Sequence, residues 1–179
     1  MAATTHTTSA LTVADPLPNY ELCYVCGHAN PLGLNVRFRI EGEAVTTRFT
    51  PQAMHAGYPG RVHGGILAAL LDETMGWAPC LRGGRFCLAV ELNVRYVKSA
   101  PPDRELIVTG RCDSIEGRIW EASGEITDES GTVYARGKGR YFPLSGEETA
   151  AVMALLTVNG EHLSLPEAVA RAAAKEDDR

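Results

Sequence analysis

The spacing of apolar residues near the start of the chain is that of β-structure. Apolar and polar residues alternate over residues 34–40 and again over residues 45–49. Alternation with a period of two is the pattern of a strand with one buried face. The intervening Glu41-Gly42-Glu43 is typical of a hairpin turn. These segments predict two strands joined by a hairpin.

The next segment follows the period of a helix. Residues 64–78 are apolar on nearly every side, which predicts a helix buried within its domain. We expect Pro79 and the glycine pair at 83–84 to end it. Two acids, Asp72 and Glu73, stand in its middle. Burying a carboxylate without compensation costs about several kcal/mol, so these acids require an explanation.

The period returns to two after the helix. Alternating segments occupy residues 88–96, 106–112, 120–126 and 133–141 and are separated by short turns. Consecutive strands joined by short turns pair as an antiparallel meander. The expected order is two strands, one buried helix and four strands, with a single sheet curled around the helix. The predicted fold class is α+β.

The two ends of the chain lie outside this pattern. Residues 1–18 are rich in Thr, Ala and Pro without periodicity, and we expect a disordered tail there. The core domain is expected over residues 19–143. Residues 144–179 are expected to form a helical extension, with one helix over 147–157 and a second opening at 164–167 with a capping box.

Bulk composition excludes several function classes. The 179 residues, 45% of them hydrophobic, suffice for one core. A net charge of -5 gives no electrostatic basis for binding nucleic acid or an anionic membrane. No apolar run approaches the roughly 20 residues that span a bilayer, and the start lacks a signal-peptide pattern. We therefore expect a cytoplasmic protein with neither nucleic acid nor membrane as a partner.

The cysteines do not suggest a disulfide framework. Five of them are spread through the expected core, which favours reduced thiols. Cys23 and Cys26 form a CxxC motif, but zinc requires four ligands, and no second pair follows at the usual spacing. His28 is near, and a fourth ligand would have to come from far away. We interpret the pair as small residues that pack an entry loop, and we predict no metal site.

Four segments of the sequence resemble one family. They are CYVCGHANPLGLNVRF, PGRVHGGILAALLDETMG, VELNVRYVKSAPP and GTVYARGKGRYF. Together they resemble the hotdog-fold acyl-CoA thioesterases of the phenylacetate-pathway and mammalian mitochondrial-type groups, over about residues 20–142. The resemblance implies an antiparallel sheet around a central helix and a homodimer with one continuous sheet. It further implies a tetramer in many members, and no cofactor, since CoA belongs to the substrate.

The resemblance also assigns site residues. Asp72 is the general base or nucleophile, Gly64 lends its N–H to the thioester oxygen, and His63 lies beside the acyl group or caps the helix. From the residues themselves, Gly64 and Gly65 at a helix N-terminus offer N–H groups to a developing oxyanion. A carboxylate can activate water or attack the carbonyl. Glu73 is the rival acid, which we interpret as a structural or interface carboxylate.

The spacing of the helix residues indicates a dimer. Asp72 follows Gly64 by eight residues, which is about 12 Å along a helix. That distance is too long for both groups to act on one carbon atom. Two such helices running antiparallel across a two-fold axis would bring each Asp72 to the glycines of the other chain.

Further residues are expected to bind the substrate. Arg95, Lys98 and Arg104 are expected to cluster at a strand end and contact the CoA phosphates, unless they form a solvated strand face. Met75 and other apolar helix residues suit the acyl group, and His55 is a candidate for the pocket wall.

Two positions depart from the family pattern. Several relatives carry an asparagine where this chain has Gly57, and a serine or threonine that positions water where it has Ala89. The expected function is hydrolysis of acyl-CoA to free acid and CoA. The alternatives are a weakly active or non-catalytic acyl-thioester-binding module and, with less support, an enoyl-CoA hydratase.

Overall fold

The described part of the chain folds into one six-stranded sheet, a small hairpin and two α-helices. The structure is a computed structural model that describes residues 16–158. Its elements in chain order are β1 (Arg39–Glu41), β2 (Ala44–Phe49), β3 (Ala56–Tyr58), β4 (Arg61–Val62), α1 (Gly64–Gly83), β5 (Cys87–Tyr96), β6 (Leu106–Ser114), β7 (Trp120–Thr127), β8 (Val133–Pro143) and α2 (Gly146–Met153). A short 3-10 helix spans Ala53–His55.

Six strands form one antiparallel sheet in the order β1-β2-β6-β7-β8-β5. The predicted meander is correct for β6, β7 and β8 and wrong for β5, which pairs with β8 rather than β6. The reason is that β2 already occupies the other side of β6. The strand after the helix must therefore take the free side of β8, at the edge of the sheet.

The sheet packs on α1, as predicted. Leu70, Leu71 and Met75 are fully buried between helix and sheet. At Gly110 of β6, an added Cβ would lie 2.6 Å from the Thr74 carbonyl oxygen, so the helix backbone rests directly on the strand. This arrangement of a curved antiparallel sheet and a buried central helix confirms the predicted α+β hotdog fold.

The helix passes through Pro79, which corrects one predicted end signal, and ends at the glycine pair 83–84, as predicted. Proline removes one N–H group, yet α1 continues through the buried Pro79 to Gly83. The last turn is held by packing, because Trp120 covers Gly83 so closely that an added Cβ would lie 2.3 Å from its ring. Gly84 then ends the helix in the left-handed region, with φ of 66°.

The entry segment differs from the predicted strand over residues 34–40. Leu34, Val36 and Phe38 are buried, as the alternation predicted, but regular pairing begins only at Arg39. The main chain before β1 bonds to the entry segment instead, with the Leu17 N–H donating to the Phe38 carbonyl oxygen over 2.8 Å. Residues 17–19 are buried, so packing begins before the predicted domain start at residue 19.

Residues 147–157 contain less helix than predicted. Within the predicted helix 147–157, α2 ends at Met153, and Thr157 forms a bridge with Asn19. A capping box of Ser145 and Glu148 opens α2. The predicted helix from Ser164 and residues 1–15 lie outside the described residues. Across residues 16–158, no helix combines the length and apolarity that a bilayer span demands.

Candidate active site

Asp72 lies near the middle of α1 at a largely apolar cavity of about 340 Å³. We name this space the Asp72 cavity. Its wall includes apolar side chains from α1, β5 and the C-terminal segment, among them Trp77, Phe86, Leu88 and Leu156. The carboxylate oxygen Oδ1 of Asp72 is buried and has no hydrogen-bond partner within the described part of the chain. The residue therefore presents an uncompensated acceptor at an apolar space.

The environment of Asp72 disfavours its charged form. Burial raises the pKa of Asp72 above its ordinary value, and the nearby Tyr141 hydroxyl offsets part of this effect. The Tyr141 hydroxyl also donates to the Asp72 main-chain carbonyl oxygen over 3.1 Å. A carboxylate whose pKa is raised is a better proton acceptor than an ordinary aspartate.

Glu73 points to a different part of the same wall. Its Oε2 accepts a hydrogen bond of 3.2 Å from Cys23 Sγ, and Cys26 also lines the Asp72 cavity. Burial raises the pKa of Glu73 to about 8. The sequence-based interpretation of the CxxC pair as loop packing did not include this contact with the helix.

The two predicted oxyanion donors at the N-terminus of α1 differ in whether their N–H groups are already hydrogen-bonded. His63 is the N-cap residue, and its Nδ1 accepts a 2.9 Å hydrogen bond from the Gly65 N–H. Gly65 is therefore not a free donor, which corrects the predicted pair. Among residues 16–158, the Gly64 N–H has no hydrogen-bond partner. The Gly64 carbonyl oxygen accepts a 2.9 Å hydrogen bond from the Tyr96 hydroxyl.

Gly64 and Asp72 face different cavities. Gly64 lines a second space of about 300 Å³ together with Tyr58, Tyr96 and Lys98, which we name the Gly64 cavity. Asp72 is not among the residues lining it. Within one chain the carboxylate and the free N–H are thus separate, as the helix spacing predicted.

The three predicted cations are not brought together. Arg104 donates to Asp128 over 2.9 Å and approaches the Tyr134 hydroxyl. Arg95 lines a cavity of about 540 Å³ on the sheet whose residues are mostly polar or charged, and Lys98 lies at the Gly64 cavity. Arg104 thus belongs to a structural ion pair, while Arg95 and Lys98 line separate cavities.

Two other predicted substrate contacts also lie elsewhere. Met75 is fully buried against the sheet, where its side chain fills the space above Gly124 and Gly137. His55 Nδ1 accepts from the Gln52 N–H over 2.9 Å, and its ring packs against Phe49. Helical periodicity alone could not tell the sheet-facing side of α1 from the cavity side.

Comparison with known families agrees with this geometry. Residues 59–135, which include α1 and most of the sheet, match the family described as the Thioesterase superfamily. Over this region the chain is similar to that superfamily. The resemblance read from the HGG-to-acid spacing is therefore confirmed.

Proteins similar to this chain are found among both sequences and solved structures. Human acyl-coenzyme A thioesterase THEM5 is 34% identical over 102 residues, which cover 56% of this chain and 40% of the human protein. The matched region thus spans less than half of that relative.

Two solved structures share the fold. The thioesterase superfamily protein RHA08564 has a TM-score of 0.63 and 29% identity, covering 74% of this chain and 72% of its own. The smu.793 protein of Streptococcus mutans, solved with acetyl CoA, has a TM-score of 0.56 and 20% identity, covering 60% and 89%.

Sequence reasoning missed the residues that support the site from other elements. Tyr141 of β8 and Tyr96 of β5 each bond to a main-chain carbonyl of α1. Both occupy expected positions of the strand pattern, so alternation marked them only as strand residues. An informative signal was available for Tyr141, since a phenol buried in a sheet requires a hydrogen-bond partner.

Proposed function

We propose that this chain hydrolyses acyl-CoA thioesters to free acid and CoA. The observation that carries the proposal is the buried, unpartnered Oδ1 of Asp72 beside an apolar cavity. A polar group in such a place costs free energy unless it serves a ligand or a reaction. The name of the human relative, an acyl-coenzyme A thioesterase, and the acetyl CoA bound to the Streptococcus protein support this substrate class.

We propose further that the active site is completed by a second copy of the chain. Within the described residues, β5 pairs only with β8, so its outer edge has no partner strand. Leu88, Val90 and Tyr96 on this strand are each more than half exposed. An unpaired apolar edge is a template for strand addition, and in a symmetric dimer it pairs with its own copy.

The positions of the two cavities support an antiparallel β5 pair. The start of β5, at Leu88 and Ala89, lines the Asp72 cavity. The end of β5, at Tyr96, lines the Gly64 cavity. In an antiparallel pair centred near the middle of the strand, the start of each strand lies beside the end of its partner. The Asp72 cavity of one protomer then adjoins the Gly64 cavity of the other.

This arrangement supplies both groups that the reaction needs. The thioester oxygen accepts a hydrogen bond from the free Gly64 N–H at the positive end of the helix dipole. Asp72 of the other protomer removes a proton from water, whose oxygen attacks the carbonyl carbon. The tetrahedral intermediate collapses, the C–S bond breaks, and the CoA sulfur leaves with a proton. In the alternative route, the carboxylate attacks the carbon directly and water hydrolyses the resulting anhydride.

The surroundings suggest how the substrate lies. The acyl chain occupies the Asp72 cavity, whose wall includes Trp77 and Phe86 in an edge-to-face pair with ring centroids 5.5 Å apart. Lys98 at the Gly64 cavity is the predicted cation best placed for a CoA phosphate. An apolar cavity lined by aromatic rings suits a medium-chain or aromatic acyl group.

One observation favours a second candidate, a weakly active acyl-thioester-binding module. Ala89 lines the Asp72 cavity at the position where the resembling family carries a water-positioning hydroxyl. A methyl group cannot orient the attacking water, so binding without efficient turnover is the alternative outcome.

Release of free CoA from a panel of short, medium, long and aromatic acyl-CoAs tests the proposal. Chromatographic detection avoids interference from the protein thiols. We expect turnover by the natural chain and a loss of at least about 100-fold in Asp72→Asn, because the amide cannot accept the proton. Asp113→Asn, at an exposed residue of β6, is the matched control and is expected to retain full activity. Tight binding of acyl-CoA without turnover of any panel member would overturn hydrolysis and support the binding module.

A further inference from the structure

Two thiols and a carboxylate form a compact cluster at one side of the Asp72 cavity. The Sγ atoms of Cys23 and Cys26 and a carboxylate oxygen of Glu73 all lie within 4.8 Å of one another. We propose that these three side chains bind a divalent transition-metal ion of the zinc type, with the fourth coordination position facing the cavity. This inference concerns metal binding and does not depend on thioester hydrolysis.

The loop that carries the two thiols directs main-chain N–H groups at the Cys23 sulfur. The main-chain N–H groups of Val25 and Cys26 both point at Cys23 Sγ, over 3.3 and 3.4 Å. Amide donors aimed at sulfur stabilise the thiolate, which is the form that binds a metal.

The tightness of this loop depends on Gly27. Its N–H donates to the Cys23 carbonyl oxygen over 3.0 Å. A Cβ at this position would lie 2.4 Å from that same oxygen, so no side chain fits. The turn therefore holds both cysteine side chains toward α1 before any ion arrives, which reduces the conformational cost of binding.

The third ligand comes from the helix. Glu73 lies 50 residues from Cys23 in sequence, yet its Oε2 is 3.2 Å from the Cys23 Sγ. No ion pair among residues 16–158 involves Glu73. Without a cation, the cluster places a half-buried acid against two thiols. A divalent ion would compensate most of the negative charge of two thiolates and a carboxylate and would accept their lone pairs.

The donor set indicates the class of metal. Two thiolates and one carboxylate favour zinc and similar ions over magnesium or calcium, which prefer sites made of oxygen. Three protein ligands with an open position are typical of zinc sites that exchange a water molecule. The sequence-based expectation of no metal site rested on finding a single ligand pair, and the fold adds Glu73 to it.

Titration of the reduced, metal-free protein with Co²⁺, followed by competition with Zn²⁺, tests the proposal. Tetrahedral cobalt bound to thiolates gives charge-transfer absorption in the near ultraviolet and ligand-field bands in the visible. We expect one equivalent of Co²⁺ per chain with both features, and their loss when Zn²⁺ displaces the cobalt. The readout is spectroscopic rather than enzymatic, so a failure of metal binding and a failure of thioester hydrolysis can be told apart.

Three variants make the assignment specific. Cys26→Ser is expected to halve the thiolate charge-transfer intensity, and Glu73→Gln to weaken Co²⁺ binding at least about tenfold while leaving both thiolates in place. Cys112→Ser, on β6, is the matched control and is expected to bind as the natural chain does. Circular dichroism confirms that each variant is folded.

Three results would overturn the proposal. The first is binding of Co²⁺ by the natural chain without thiolate absorption, or with no stoichiometric end point. The second is an unchanged affinity in Glu73→Gln. Mass spectrometry after exposure to air shows whether Cys23 and Cys26 form a disulfide instead; a pair that oxidises and, when reduced, binds no metal is a redox pair and contradicts the metal site.

Discussion

The Tyr141 hydroxyl donates a 3.1 Å hydrogen bond to the main-chain carbonyl oxygen of Asp72. The bond joins β8 to the middle of α1, one turn before Gly76. An added Cβ at Gly76 would lie 3.4 Å from the Tyr141 ring, so the glycine leaves the phenol room beside the helix. Through this contact the sheet fixes the position of Asp72 relative to its cavity.

Removing this hydroxyl is expected to affect both stability and turnover. Tyr141→Phe leaves the ring in place and deletes the donor, so we expect the free energy of unfolding to fall by about 1 kcal/mol. We also expect kcat to fall severalfold with little change in KM, because the carboxylate loses its fixed position. Urea denaturation and CoA release measure the two effects. The exposed Tyr24→Phe is the control, and equal behaviour of the two variants would contradict the role of Tyr141.

A second buried acid stabilises the sheet away from the site. Asp128 in the turn after β7 is 5% exposed. Its carboxylate accepts hydrogen bonds from Ser130, from the Thr132 N–H, from the Tyr134 hydroxyl and from Arg104. The hydrogen bonds from Ser130 and Tyr134 are the main cause that holds the pKa of Asp128 well below its ordinary value of 3.8.

The depressed pKa of Asp128 fixes the sign of a pH effect. A carboxyl whose pKa is lower in the folded state contributes stability above its unfolded pKa and loses it as pH falls. We expect Asp128→Asn to unfold at lower urea concentration than the natural chain at pH 7. The difference between the two should narrow as the pH falls below about 4. Asp113→Asn serves as control, and a difference between Asp128→Asn and the natural chain that does not change with pH would contradict this origin.

Local patterns predicted the elements well and their pairing less well. The stretch that is apolar on nearly every side identified α1, because a helix buried on every side consists almost entirely of apolar residues. The edge position of β5 left no such record, because it depends on β2 occupying the other side of β6. The extension of α1 past Pro79 likewise depends on Trp120, which is remote in sequence and covers Gly83.

The candidate site shows the same division. The separation of Gly64 from Asp72 followed from the helical rise alone. The use of the Gly65 N–H by His63 and the capture of Arg104 by Asp128 did not. Each depends on a side-chain partner whose position is set by the folded backbone. The meeting of Cys23 with Glu73 is also of this kind.

The outer edge of β5 provides a test of the proposed dimer. Val90→Lys places a charge at the centre of the pairing edge, and edge lysines oppose strand addition. We expect a monomer by light scattering and loss of CoA release, with the fold retained by circular dichroism. The control is Leu155→Lys, at a position that is 62% exposed and outside the sheet. A fully active Val90→Lys monomer would contradict a site shared between protomers.

Removal of a single N–H group at Gly64 is possible without disturbing the helix. Gly64 is the first residue of α1, where proline is well tolerated, and His63 before it is extended. Gly64→Pro therefore deletes the proposed oxyanion donor. Gly64→Ala introduces a comparable contact with Tyr96, since an added Cβ lies 3.1 Å from that ring, but it keeps the N–H. We expect the proline variant to lose activity and the alanine variant to retain most of it.

Mixing two inactive variants tests the central claim most directly. Asp72→Asn and Gly64→Pro chains are unfolded together, refolded in equal amounts and assayed for CoA release. If each site takes Asp72 from one chain and Gly64 from the other, half of the dimers are mixed and carry one intact site. Activity then returns to about one quarter of the natural level. If both groups act within the same chain, no mixed dimer holds an intact site, and a mixture as inactive as its parts would contradict the shared active site.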